Sequence, residues 1–273
     1  MPTATNRGVT LHYEAEGDGP CVAFVGDVGY GAWLWGWHYD ALLGFETLVW
    51  DLRGTGESDA PPGPYSVRTL AADLEAVLAD HGVGSVHLVG AGLGGMVALQ
   101  YAHRYNRART LTLYCTAASG DAIDADALAD LALETGPEAS LEGAFSEAFR
   151  TADPDLLDRI TAWRREDDAT GDAFAAQADA MAGFDAPGDA FAAQADAMAG
   201  FDAPPLYEVT LPTEVYYGVA DPVVPASAAE SLGADLPRGT SEAVEGRHCC
   251  YVEHATVVTD RLVSFLDEHT ERE

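Results

Sequence analysis

Residues 85–97 constrain the fold more than any other part of this chain. They read Ser-Val-His-Leu-Val-Gly-Ala-Gly-Leu-Gly-Gly-Met-Val, an apolar strand-like run that breaks at a glycine cluster and continues as an apolar helix to about Tyr105. Glycine permits a tight turn and a close approach of the helix to its neighbours. The stretch therefore predicts a buried strand, a tight turn and a buried helix whose first N–H groups and positive dipole end point above the strand.

Two motifs with different chemistry share this strand–turn–helix geometry. As G-x-G-x-x-G, with Gly90, Gly92 and Gly95, the turn would hold the phosphates of a dinucleotide. As G-x-S-x-G, it would be a nucleophile elbow in which Gly92 stands where the serine belongs. The dinucleotide motif should follow the first strand, with an acidic residue at the end of the next strand. Here the next strand ends in Tyr114-Cys115-Thr116, which carries no carboxylate, so the elbow is favoured.

The charge balance limits the partners of the chain. There are 45 acidic residues against 14 basic ones, and the net charge is −31 over 273 residues. This balance excludes nucleic acid as a partner and disfavours anionic membrane surfaces. It is typical of a halophilic protein kept in solution at high salt; an acidic protein from an ordinary GC-rich genome is the alternative. We expect a small-molecule substrate or ligand as the partner, and the sequence predicts no oligomeric state.

We predict that the melting temperature of the protein rises between low salt and molar KCl. Repulsion among the acidic side chains opposes folding at low ionic strength, and it is screened when the Debye length falls to about 3 Å at 1 M salt. Thermal unfolding followed by circular dichroism in graded KCl measures the effect. A melting temperature that does not change with salt contradicts the halophilic interpretation.

Cysteine and histidine usage indicates a reduced cytosol and no metal. Four cysteines follow no disulfide or metal-ligand spacing, and the seven histidines other than His248 are scattered without ligand spacing. We therefore expect neither a metal nor a cofactor. The N-terminus has no basic and apolar leader, and no apolar run approaches the length of a membrane span, which predicts a cytoplasmic protein.

Alternating strands and helices on either side of one long insertion define the organisation of the chain. Val9–Glu16 alternates apolar and polar residues as an edge strand would, and a helix is predicted from Ser66. We expect an α/β fold with a mostly parallel sheet covered on both faces, formed by residues 1–119 and 207–273. Residues 120–206 between them are acidic and alanine-rich, and they predict a helical lid.

The predicted lid contains a perfect tandem repeat, GDAFAAQADAMAGFDAP, at residues 171–187 and 188–204. Each copy suits one amphipathic helix that ends at a glycine and a proline. In the first copy four residues are predicted on one face: Phe174, Ala178, Met181 and Ala182. Two units are too few for a solenoid, so a duplication tolerated at the surface is the plain explanation.

The order of motifs along the chain resembles that of the α/β-hydrolase superfamily. Besides the elbow, the matching segments are Phe24-Val25-Gly26-Asp27, the turn Asp51-x-Arg53-Gly54-x-Gly56-x-Ser58, Gly218 to Pro225, and Glu245 to His248. The resemblance is closest to small esterases, enol-lactonases and haloperoxidase-like members with a helical lid. It implies an α/β-hydrolase fold, hydrolysis of carboxylic esters or enol lactones, and a nucleophile, an acid and a histidine in that chain order.

The resemblance also assigns candidate residues to a proton-transfer pair. Asp221 takes the position of the acid, and His248 takes that of the histidine. A carboxylate that orients an imidazole leaves the other ring nitrogen as a general base near neutral pH. Gly92 has no side chain at the nucleophile position, so no serine acyl-enzyme can form there.

The resemblance implies an oxyanion hole that is altered as well. Its donors are expected to be the N–H groups of Val28 and Leu93. Asp27 replaces the glycine of the usual His-Gly pair in the same loop. A carboxylate at that place would oppose a developing oxyanion unless it is turned away or protonated.

Three interpretations of the site follow, and the sequence leaves them open. In the first, His248 with Asp221 activates water or abstracts a proton without a covalent step, and Gly92 makes room for substrate or water. In the second, a thiolate of Cys115 or of Cys249 replaces the missing serine. In the third, catalysis is lost, and the pocket binds a small ligand or the chain binds a partner.

Overall fold

A computed structural model describes residues 2–183 and 206–270. Its strands, in chain order, are β1 Thr3–Asn6, β2 Val9–Glu16, β3 Cys21–Val25, β4 Glu46–Trp50, β5 Val86–Ala91, β6 Ala108–Tyr114, β7 Thr213–Gly218 and β8 Gly239–Val244. The α-helices are α1 Val67–His81, α2 Leu93–Arg104, α3 Ala125–Asp130, α4 Pro137–Ala144, α5 Glu147–Ala152, α6 Pro154–Asp167, α7 Gly171–Ala182, α8 Ala226–Asp235, α9 Cys250–Glu253 and α10 Ala255–His269.

The strands form one sheet in the order β1-β2-β4-β3-β5-β6-β7-β8. The pairs β1–β2 and β2–β4 are antiparallel, and the remaining pairs are parallel. The mostly parallel sheet predicted from the alternation of strands and helices is confirmed. Because the parallel strands end at the same edge, the loops that follow β3, β5, β7 and β8 can share one site.

The prediction that Val9–Glu16 is an edge strand is wrong. β1 pairs outside it, with Thr3 opposite His12 and Asn6 opposite Val9. The two strands are joined at Arg7 and Gly8, whose φ angles are 51° and 85°. A strand of four residues is too short for its alternation to stand out in the sequence, and the pattern of β2 alone could not reveal it.

The core is centred on β5 and the two helices beside it. All six residues of β5 are buried, as are the first nine of α2. The predicted helix from Ser66 is α1: the Ser66 hydroxyl accepts a hydrogen bond from the N–H of Thr69, and the helix ends at Gly82 with φ 82°. Burying each large aliphatic side chain contributes about 1.5–3 kcal/mol, so this layer holds the elbow rigidly in place.

An ion pair anchors the glycine-rich turn after β4. The Arg53 guanidinium donates to both carboxylate oxygens of Asp73 on α1, at 2.7 and 2.6 Å, and Asn6 of β1 donates to the same carboxylate at 2.7 Å. The Asp73 side chain is fully buried. Arg53 therefore fixes a loop at the carboxyl edge of the sheet, and its charge is already compensated.

The described part of the insertion, residues 120–183, contains α3 to α7 and packs against the loops at the carboxyl edge. Gln177 of α7 accepts a hydrogen bond from the N–H of Gly29, after β3, at 2.7 Å, and donates to the carbonyl of Arg53, after β4, at 2.8 Å. The Gln177 side chain is buried. One residue of the first repeat copy thus ties the insertion to two loops of the sheet.

The buried face of α7 differs in part from the predicted one. Phe174 and Met181 are buried and Ala178 is half-buried, whereas Ala182 is exposed because the helix ends there. Gln177 is buried instead, since its amide satisfies two backbone groups. The second repeat copy, residues 188–204, lies outside the described residues.

No helix within residues 2–183 and 206–270 combines the length and the apolar character needed to cross a lipid bilayer.

Candidate active site

The glycine cluster forms a sharp elbow between β5 and α2. Gly92 has φ 47° and ψ −112°, a conformation that strains any residue with a side chain. Its N–H donates to the carbonyl of Tyr114 at 2.9 Å, and its carbonyl accepts from the Thr116 hydroxyl at 2.7 Å. A Cβ on Gly94 would come within 2.1 Å of the Val25 carbonyl oxygen, so α2 can approach β3 only through glycine.

The carboxylate of Asp27 fills the space above this elbow. A Cβ built on Gly92 would lie 1.8 Å from Asp27 Oδ1 and 2.6 Å from Oδ2. Oδ1 accepts hydrogen bonds from the N–H of Val28 at 2.6 Å and from the N–H of Leu93 at 3.0 Å. The two N–H groups predicted as oxyanion donors therefore converge on one oxygen, and that oxygen belongs to the protein. The Asp27 carboxylate therefore points into the oxyanion hole and is not turned away from it.

His248 lies between two carboxylates. Its Nδ1 is 3.0 and 2.9 Å from the two oxygens of Asp221, and its Nε2 is 2.9 Å from Asp27 Oδ2. Asp221 Oδ1 also accepts from the N–H groups of Val223 and Val224, at 2.8 and 3.1 Å, which fixes this carboxylate after β7. The side chains of His248, Asp221 and Asp27 are 0% exposed.

The two carboxylates set the protonation state of His248. Burial alone lowers the pKa of the imidazole, but Asp221 and then Asp27 outweigh it and raise the pKa well above 6.5. The ring therefore carries a proton on both nitrogens near neutral pH. Nε2 therefore has no free lone pair with which to act as the expected general base. The Asp27 carboxylate also occupies the position next to Nε2 that a substrate or a water would need.

The candidate thiols lie near this centre but are poor nucleophiles. Cys115, with φ 47°, has its Sγ 3.5 Å from the Sγ of Cys250. Burial raises the pKa of the Cys115 thiol well above its ordinary value, and the contact with Cys250 raises it further. Burial, followed by the charge of Asp27, also raises the pKa of Cys249. A thiolate is therefore disfavoured at both positions near neutral pH.

A group of three potential metal ligands overlaps the same centre within the described part of the chain. Cys115, Asp221 and His248 each offer one ligand atom, and these atoms lie within 4.8 Å of one another. Both ring nitrogens of His248 already face carboxylates, and burial raises the pKa of the Cys115 thiol well above its ordinary value. In this arrangement neither side chain offers a free electron pair to a metal.

Sequence reasoning missed a buried ion pair next to the candidate site. Arg164 of α6 donates to Asp168 at 2.6 Å, and its guanidinium lies 4.8 Å from the centre of the Tyr30 ring. Asp168 accepts from the indole N–H of Trp33 at 2.8 Å and from the N–H of Gly31 at 3.1 Å. The i,i+4 spacing of Arg164 and Asp168 is equally typical of an exposed pair on a helix. The sequence gives no signal of its burial, because the loop of Gly31 and Trp33 that covers it is far away in sequence.

The comparisons with known proteins agree with this architecture. A sequence profile described as alpha/beta hydrolase fold matches residues 28–255. Epoxide hydrolase 2 of Siraitia grosvenorii is 33% identical over 102 residues, which cover 35% of this chain and only 32% of that protein. 3-Oxoadipate enol-lactonase 2 of Acinetobacter baylyi is 25% identical over 265 residues, or 92% of this chain and 91% of that protein.

The solved structure of an enol-lactonase from Burkholderia xenovorans LB400 is similar in fold. It has a TM-score of 0.83 at 21% identity and covers 97% of this chain and all of its own. The α/β-hydrolase fold inferred from the motif order is confirmed by this likeness and by the profile match. Since that match extends over residues 28–255 of 273, the chain belongs to the alpha/beta hydrolase fold family.

Proposed function

We propose that this protein hydrolyses a small electrophilic substrate by proton transfer through His248, oriented by Asp221, without a serine acyl-enzyme. The observation that carries the proposal is the contact of His248 Nδ1 with both Asp221 oxygens, at 3.0 and 2.9 Å. It fixes the ring and directs Nε2 at the space above Gly92. The N–H groups of Val28 and Leu93 point at the same space and stabilise negative charge there.

The names of the relatives support the substrate classes to be tested first. One is an epoxide hydrolase and another is an enol-lactonase, and both names denote opening of a ring by water. The full burial of the three site side chains supports a small substrate. As part of the same proposal, residues 120–206 act as a lid, and the protein works in a salt-rich cytoplasm.

Hydrolysis assays in molar KCl test this proposal. We expect the wild type to hydrolyse 1,2-epoxybutane or p-nitrophenyl acetate, and His248→Gln to be slower by about 10²–10⁴-fold, the usual contribution of a general acid–base group. His254→Gln is the matched control, because His254 lies six residues further along and is exposed. Equal rates for the wild type and His248→Gln on both substrates would contradict the proposal.

One observation favours a second candidate, a pseudo-hydrolase that binds a small ligand or a partner without catalysis. The protein's own carboxylate fills the oxyanion hole and compensates the positive charge of His248, so every polar group of the site has a protein partner without substrate. Under this alternative the two proteins in the assay show the same background rate. The thiolate alternative receives no support, because burial raises the pKa of both candidate cysteines.

A further inference from the structure

The position of Asp27 suggests a role that the elbow motif does not assign. Asp27 belongs to the loop after β3, yet its carboxylate lies where a side chain at the elbow would lie. The missing Cβ of Gly92 is what makes room for it. The loop after β3 thus places a carboxylate, which can act as a nucleophile, in the space where a side chain at position 92 would lie.

The two oxygens of this carboxylate have different surroundings. Oδ1 is held by two backbone N–H groups, at 2.6 and 3.0 Å. Oδ2 faces His248 Nε2 at 2.9 Å, and neither atom has an aligned hydrogen-bond partner among the described residues. One oxygen is therefore fixed in the oxyanion hole while the other keeps lone pairs next to an acidic N–H.

We propose that Asp27 is the nucleophile of this protein, and that it forms an alkyl ester with substrates that carry an electrophilic saturated carbon, either a strained cyclic ether or a primary alkyl halide. This inference rests on the proposed function, because it uses His248 and Asp221 as the proton-transfer pair. It replaces direct attack by water with a covalent step on a carboxylate.

The first step opens the substrate. Asp27 Oδ2 forms a bond to the saturated carbon, the bond from that carbon to the ether oxygen breaks, and the resulting alkoxide takes the proton from His248 Nε2. A halide leaves as an anion and takes no proton, so on that route His248 gives its Nε2 proton to solvent water before the second step. The product of the step is an ester whose carbonyl oxygen is Oδ1, still bound by the N–H groups of Val28 and Leu93.

The second step uses the neutral imidazole, which the first step itself produces when the substrate is a cyclic ether. Water attacks Cγ of Asp27 and gives its proton to Nε2, and the negative charge collects on Oδ1, where two N–H donors stabilise it. Collapse of this intermediate breaks the ester bond, and the released alcohol takes the proton back from His248. For the cyclic ether the net reaction is addition of water to give a diol, and Asp27 and His248 are regenerated.

The nucleophile type selects the substrate class. Attack of a carboxylate on an ester gives a mixed anhydride, which returns to reactants because a carboxylate leaves more readily than an alkoxide. Attack on a saturated carbon gives an ordinary ester, which persists until an activated water cleaves it. Strained ethers and alkyl halides therefore match this site better than carboxylic esters do.

Covalent trapping in His248→Gln tests the inference. We expect 1-bromobutane to add one butyl group to this variant, located at Asp27 by peptide mass spectrometry and released by hydroxylamine, since no base remains to cleave the ester. Asp27→Asn/His248→Gln is the matched control and should show no such adduct. A hydroxylamine-resistant adduct on Cys115 or Cys249, or no adduct at Asp27, would overturn the proposal.

A second measurement follows the label in the wild type and is read together with the rate of His248→Gln. After turnover of 1,2-epoxybutane in H₂¹⁸O, the peptide that contains Asp27 should gain ¹⁸O, because water attacks Cγ. Hydrolysis that depends on His248 but leaves Asp27 unlabelled refutes the nucleophile while the proposed function stands. An Asp27 adduct without His248-dependent hydrolysis supports the nucleophile and refutes the proposed function.

Discussion

Gly92→Ser is expected to destabilise the protein and not to create a serine hydrolase. The new Cβ would lie 1.8 Å from Asp27 Oδ1, a distance that no pair of non-bonded atoms tolerates, and the serine would have to adopt φ 47°. Backbone strain costs about 1–3 kcal/mol, and overpacking a buried site costs about as much again. We therefore expect the free energy of unfolding to fall by roughly 2–6 kcal/mol.

The double variant Asp27→Gly/Gly92→Ser should recover much of this loss. Removing the carboxylate empties the oxyanion hole and leaves space for the serine hydroxyl beside His248 Nε2. Urea unfolding in molar KCl of the wild type, both single variants and the double variant gives the coupling between the two positions. A fluorophosphonate should label only the double variant. A labelled or fully stable Gly92→Ser would show that Asp27 does not occupy the nucleophile space.

The free energy of unfolding should fall as the pH rises from 6.5 through the raised pKa of His248. Asp221 and Asp27 hold a proton on the folded imidazole that the unfolded chain releases above its ordinary pKa of about 6.5. The folded state then binds more protons at this site than the unfolded state, so the contribution of His248 to stability is complete below pH 6.5 and decreases as the pH rises toward the raised pKa. The slope approaches about 1.4 kcal/mol per pH unit while the two states differ by one proton.

Asp27→Asn should flatten this slope, because only Asp221 then raises the pKa of the ring. Asp179→Asn, an exposed change on α7, should leave it as in the wild type. Chemical unfolding between pH 6.5 and about 7.5 suits the comparison, since the thiols of the unfolded chain titrate mainly above that range. Equal slopes in the wild type and Asp27→Asn would mean that Asp27 does not face the imidazolium.

Much of the fold could be predicted because its signals are local. The glycines of the elbow, the serine that starts α1 and the apolar runs of the parallel strands each report on their own neighbourhood. β1 gave no such signal, since four residues cannot establish a period. Ala182 shows a related limit. The pattern of α7 predicts which residues share a face, but Ala182 is the last residue of the helix and is exposed although it belongs to that face.

The sequence predicts which side chains belong to the candidate site, but it does not predict how they are oriented. The motif order named Asp27, His248 and Asp221, and the structure brings these three side chains together. The sequence does not determine the direction of the Asp27 carboxylate, because that direction depends on a contact between loops that are distant in sequence. Gln177, which satisfies the Gly29 and Arg53 backbones, was missed for the same reason.

The contact between positions 27 and 92 also fixes the order in which mutation could convert this site into a serine hydrolase, or the reverse. A serine introduced at 92 while the aspartate remains meets a carboxylate at bonding distance, so that intermediate genotype is penalised at once. If the aspartate is lost first, the oxyanion hole is left unfilled and no steric clash arises. A mutational path between the two chemistries, in either direction, therefore passes through the genotype that has neither the aspartate nor the serine, and a random library that varies position 92 alone does not contain the converted site.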